Sequence, residues 1–124
     1  MEPSLQPVIL LIGLDPSLVY LLGRFAERSG YRLITVGAGL STAEVEALRP
    51  AAILFNSIQS LEAAQPLINA LANGSIPLLV CTAAADQAQA LELGVDACLL
   101  HPLTYDDFLT TLAALPNHQR LIED

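Results

Sequence analysis

Ala51-Ala-Ile-Leu-Phe-Asn-Ser57 decides the fold of this 124-residue chain. Pro50 precedes it, five uncharged apolar residues lead it, and a polar Asn-Ser pair closes it. A short apolar run bounded by a breaker and by polar residues reads as a parallel strand buried on both faces. Such a strand delivers its last side chains to an open sheet edge, and the side chain delivered here is the neutral amide of Asn56.

Four further runs surround it: Val8 to Ile12, Tyr31 to Val36, Pro77 to Cys81 and Ala97 to Leu100. Helical patterns fall between them. Asp15 stands as an N-cap before Pro16, with Leu18, Leu21, Leu22 and Phe25 on one face and Gly30 as the stop. Ser41-Thr-Ala-Glu44 has the capping-box spacing ahead of a short helix from Thr42 to Leu48. After Ser57 to Gln65, a regular helix starting near Gln65 carries Leu67, Ile68 and Leu71 and ends at Asn73-Gly74. Ala84 to Leu93 is a helix closed by Gly94. Thr104 to Leu115 is another, with Phe108, Leu109, Leu112 and Leu115 inward, Asp106-Asp107 favourable at its N-terminal dipole, and Pro116 at its end.

Five apolar strands alternating with five helices predict a doubly wound α/β domain with a parallel sheet and right-handed crossovers. Its functional edge lies at the carboxyl ends of the strands, which places Gly13, Leu14, Asp15, Asn56, Ser57, Thr82, Ala83, His101 and Pro102 there. One domain over residues 1–116 is expected, with Asn117 to Asp124 as a polar tail or the start of a linker.

Composition narrows the function. Thirteen acidic against five basic residues give a net charge of −8, which disfavours nucleic acid and anionic membranes as partners. All five basic residues are Arg, so lysine chemistry is excluded. The hydrophobic content is 53% and the mean hydropathy +0.53, but the apolar runs are too short to span a bilayer, so the surplus belongs to a core or an interface. The start, Met-Glu-Pro-Ser, lacks secretory-signal features, and a cytoplasmic setting is expected. Cys81 and Cys98 read as small core residues on neighbouring strands, against the alternative of a disulfide or metal pair. Gly37-Ala-Gly39 lacks the further glycines of a phosphate loop, and there is no nucleophile elbow or Cys/His cluster. No cofactor is expected.

Taken together, Ile9-Leu-Leu-Ile-Gly-Leu-Asp-Pro16, Pro50 to Asn56, Pro77-Leu-Leu-Val-Cys-Thr-Ala83 and Gly94-Val-Asp-Ala-Cys-Leu-Leu-His-Pro102 resemble the receiver domain of two-component response regulators. The resemblance spans Val8 to Leu115. It implies a five-stranded sheet of order 2-1-3-4-5 with helices on both faces, and a fourth helix about one turn short. Receivers phosphorylate themselves on an aspartate with Mg²⁺ held by acidic residues. By position, the acidic pair falls on Gly13 and Leu14, the phosphoacceptor on Asn56, the hydroxyl on Thr82, the lysine on His101 and the switch aromatic on Cys98. The Pro and Gly that follow the acceptor fall on Ser60 and Ala64. Only the hydroxyl is kept.

An amide is a poor nucleophile, Asp15 alone is a meagre seat for Mg²⁺, and His101 replaces a lysine's permanent charge. The resemblance therefore implies a degenerate receiver that is not an enzyme and holds no metal, so that restoring one residue does not rescue activity. Asn56 reads as a fixed, phosphorylation-blind switch position or as an amide satisfying a strand end, and Thr82 as a remnant that hydrogen-bonds Asn56. The function implied is a protein interaction or dimerisation module in bacterial signal transduction or transcriptional regulation. It would act through the fourth helix, fifth strand and fifth helix (Asp86 to Leu93, Ala97 to Leu100 and Thr104 to Leu115). The alternative is a sensor of a small neutral molecule in the emptied acidic pocket, lined by Leu14, Asn56, Thr82 and His101.

Overall fold

The computed structural model describes residues 6–13, 15–37, 39, 41–71 and 76–115. Five strands, β1 (Val8–Ile12), β2 (Arg32–Val36), β3 (Ala52–Phe55), β4 (Leu78–Thr82) and β5 (Ala97–Leu100), form one parallel sheet of order β2-β1-β3-β4-β5. The stretch that opens the sequence reading lies at its centre: all four β3 side chains are buried, at 0–1% exposure.

Period-two alternation splits the core between the two faces of the sheet. Ala52 and Leu54 pack with Ile9, Leu11, Leu79 and Leu99 beneath α1 (Pro16–Ser29) and α6 (Tyr105–Ala113). Ile53 and Phe55 pack with Leu10, Ile12 and Val80 beneath α2 (Thr42–Leu48), α3 (Ile58–Ala63), α4 (Gln65–Ala70) and α5 (Gln87–Glu92). Phe25 joins α1 to α6 through ring contacts of 5.4 Å with Tyr105 and 5.5 Å with Phe108, and the Arg28 guanidinium lies 4.2 Å from the Tyr105 ring centre.

The caps form as their spacing predicts. The Asp15 carboxylate accepts from the amides of Ser17 and Leu18 at 3.1 and 3.3 Å, and Gly30 closes α1 in the left-handed region. Ser41 and Glu44 make the reciprocal capping box, and the hydrogen bonds from the Ser41 backbone and side chain hold the Glu44 carboxyl below the usual carboxylate range.

Several boundaries differ from the sequence expectation. The second strand starts at Arg32 because the Tyr31 amide donates to the Ala26 carbonyl at 2.9 Å, in the bond that closes α1. The fourth strand runs through Thr82, which pairs with Leu100, and Pro77, without an N–H, stays outside it. The third crossover is two short helices, since Pro66 cannot donate to the turn before it. Ala84–Asp86 is a 3₁₀ turn, so the regular part of the fourth crossover is six residues long, as short as the resemblance implies. Thr104 caps α6 from outside by accepting from the Asp107 amide at 3.1 Å. Leu109 is 38% exposed, a correction to its inward placement, because Phe108, Leu112 and Leu115 fill that stripe. The expected helix ends at Asn73-Gly74 and Pro116, and the tail from Asn117, lie outside the described residues.

Candidate functional site

Asn56 follows β3 and is half-buried, its backbone N–H donating to the Ile12 carbonyl at 3.1 Å. The next residue, Ser57, caps α3. Its hydroxyl oxygen accepts from the Ser60 amide at 3.2 Å, and the Ser60 hydroxyl accepts in return from the Ser57 amide at 3.3 Å. With its oxygen so engaged, the Ser57 hydroxyl donates to Asn56 Oδ1 at 3.4 Å. Ser57 thus ties the helix cap to the carboxamide. The amide therefore bonds Ser57 and not Thr82, contrary to the sequence expectation.

Gly13 closes β1 at a φ of +126°, which L side chains rarely adopt, and donates its N–H to the Val36 carbonyl at 3.0 Å. A Cβ at Gly13 would overlap Cγ and Oδ1 of Asn56 and lie 2.6 Å from Nδ2. The Asn56 carboxamide thus fills the space that any side chain at position 13 needs. The two residues fit as a pair, and an acidic residue at 13 is sterically incompatible with the amide where it now sits.

Three of the anticipated positions come together. Asn56, Thr82 and His101 line one open depression of about 440 Å³, where Glu62 and Asp86 add carboxylates. Thr82 is 5% exposed; His101 is exposed at the end of β5 and precedes a cis bond to Pro102. Asp15 is spent on capping α1 and does not line the depression. Leu14 lies outside the described residues. Cys98 is half-buried on the face packed by α5. Its strand register sets it opposite Val80 while Cys81 lies opposite Leu99, so the two free thiols point to opposite faces, and burial pushes the Cys81 thiol up to about 12.

Chemically, the depression is poorly suited to a phosphoryl group. Its lining holds two carboxylates, one imidazole and, among the described residues, no Lys or Arg to offset phosphate charge. Nor do the residues fit a magnesium seat. Gly13 has no side-chain oxygen, Asn56 carries no charge, Asp15 caps α1, and Glu62 and Asp86 do not belong to any cluster of three His, Cys, Asp or Glu side chains among the described residues.

The Glu62–Gln89 contact was not legible in sequence, since the two residues are 27 positions apart and only the packing of α3 beside α5 joins them. A second cavity of about 260 Å³, bordered by Ile12, Gly13, Gly37, Ser60, Ala64 and Leu67, is mainly apolar and includes none of Asn56, Thr82 and His101.

No protein-family model matches the chain, and no curated protein sequence proved similar to it. Solved structures do match. A response regulator receiver domain protein from Clostridium thermocellum superposes with a TM-score of 0.68 at 14% identity, covering 94% of this chain and 98% of that one. The chemotaxis protein CheY4 of Vibrio cholerae gives 0.68 at 16% identity, covering 86% of this chain and 96% of its own. The receiver domain of the sensor histidine kinase PA1611 of Pseudomonas aeruginosa, solved with a magnesium ion coordinated in its active-site cleft, gives 0.66 at 23% identity, covering 86% and 94%. The chain has the receiver-domain fold.

Proposed function

We propose that this chain is a receiver-fold signalling domain that takes no phosphoryl group and works as a protein interaction or dimerisation module, in bacterial signal transduction or transcriptional regulation. The observation that carries the reading is the Asn56 carboxamide seated over Gly13, which removes the nucleophile and the room for an acidic residue in one arrangement. With no phosphate to read, the output is set by association.

The surface offered for association is α5, β5 and α6. Among the described residues β5 ends the sheet and leaves its outer backbone edge open. On α5, Gln89 reaches toward α3, and Leu91, nearly opposite it around the helix, is 48% exposed and directed away from α3. Ala84, Ala85 and Ala88 are exposed beside it, giving a low-charge patch of small apolar side chains. Light scattering over a range of concentrations tests this. A dimer is expected, and Ala88→Glu should return it to a monomer with an unchanged circular dichroism spectrum. An Ala88→Glu protein that keeps the wild-type native mass counts against this face.

A second reading has one observation in its favour: the apolar cavity beside Gly13 could take a small uncharged molecule. It predicts a raised melting temperature with a neutral apolar compound, lost in a cavity-filling Ala64→Leu variant; equal shifts in both proteins would refute it.

A further inference from the structure

Among the described residues the sheet has a second open edge, at β2. Arg32 donates its backbone N–H to the Pro7 carbonyl at 2.8 Å, and the Val36 carbonyl accepts from Gly13 at 3.0 Å. In a parallel pair this alternation turns the backbone groups of residues 32, 34 and 36 toward β1 and leaves those of Leu33 and Thr35 facing outward. β2 carries no proline, bulge or lysine of the kind that guards an exposed edge.

Beside this edge runs a cleft of about 720 Å³ between α1 and β2, lined in part by Tyr20, Arg24, Glu27, Arg32, Leu33 and Thr35. Tyr20 is 65% exposed, the most exposed large hydrophobic side chain among the described residues, and its hydroxyl accepts from Arg24 Nη1 at 3.0 Å. Two of the four arginines among the described residues, Arg24 and Arg32, line the cleft, and Glu27 is the one acid among the described residues of its lining. In a chain of net charge −8 the cleft thus sets two guanidinium groups against one carboxylate, beside backbone donors and acceptors that no described residue uses.

We infer that the β2 edge binds an extended acidic segment of a partner protein, added as a sixth strand. Its backbone pairs with Leu33 and Thr35, its carboxylates meet Arg24 and Arg32, and an apolar side chain rests on Tyr20. Charge selects the segment and the open ladder aligns it. The surface is at the opposite end of the sheet from α5, β5 and α6, so this inference is independent of the dimer and of the phosphoryl-blind site.

The test is an amide NMR titration of the whole chain with a capped peptide of Glu-Glu-Val-Val repeats, which presents both side chains on each face of a strand, beside its Lys-Lys-Val-Val counterpart. The acidic peptide should shift the Leu33 and Thr35 amides saturably, and the basic one should not. Arg24→Glu with Arg32→Glu, both at exposed positions, should weaken binding roughly tenfold or more with an unchanged circular dichroism spectrum. N-methylation separates strand addition from charge alone. Of two peptides methylated on alternate amide sets, one should lose binding and the other keep it. Equal binding of acidic and basic peptides, shifts centred on β5, equal tolerance of both methylated peptides, or no shift at Leu33 and Thr35 at millimolar acidic peptide would each overturn the inference.

Discussion

Substituting Gly13→Ala probes the pairing of Gly13 with Asn56 directly. Two costs add. A side chain at a φ of +126° is strained by about 1–3 kcal/mol. The new methyl group also displaces the Asn56 carboxamide and breaks its bond from Ser57, a loss of about 0.5–1.5 kcal/mol. A destabilisation of about 1.5–4.5 kcal/mol follows if the two act together. At a urea dependence of about 1.5 kcal/mol per molar, a 3 kcal/mol loss lowers the unfolding midpoint by about 2 M. The two parts separate in a double-mutant cycle. With Asn56→Ala in place the overlap disappears while the backbone strain stays, so Gly13→Ala should cost about 1 kcal/mol less there. A midpoint that barely moves, or an identical cost in both backgrounds, refutes the pairing.

Two further outcomes follow from the same packing. The buried Cys81 thiol titrates near 12 in the folded state against 9.0 in the open chain, so between these values the unfolded state loses a proton that the folded state keeps. Stability should therefore fall with rising pH across that window, by up to about 1.4 kcal/mol per unit, and urea melts should show a shallower fall in Cys81→Ala; equal slopes would contradict this. Asp96 Oδ2 accepts from the Leu78 amide at 2.8 Å while its own amide donates to the Leu78 carbonyl at 2.7 Å, clasping the start of β4 to the turn before β5. Asp96→Ala should cost about 1.5–3 kcal/mol in thermal or urea unfolding, and a change within error would show the clasp to be dispensable.

What could be read in the sequence was what is local and periodic. The apolar run ending at Asn56, the Asp15 and Ser41 caps and the Gly30 stop each depend on neighbours within a few residues, and all stand in the structure. Strand order came from the resemblance, because the pairing of β1 with β3 across α2 has no local signature. The occupied space over Gly13 was illegible for the same reason. Glycine at a strand end signals a turn, but that an amide 43 residues later fills the missing side chain's place depends on the β1–β3 register, Ile12 opposite Phe55. Thr82, Asn56 and His101 were rightly gathered at one edge, whereas the bond partner of Asn56 depended on how Ser57 caps α3.

The central claim is that the site takes no phosphoryl group, and the most direct test returns the missing nucleophile. The measurement is the intact mass of the Asn56→Asp variant after incubation with acetyl phosphate and Mg²⁺. With Gly13 offering no carboxylate and the depression lined by Glu62, Asp86 and no Lys or Arg among the described residues, the mass should stay that of the untreated protein. A gain of one phosphoryl group mapped to position 56 would contradict the account.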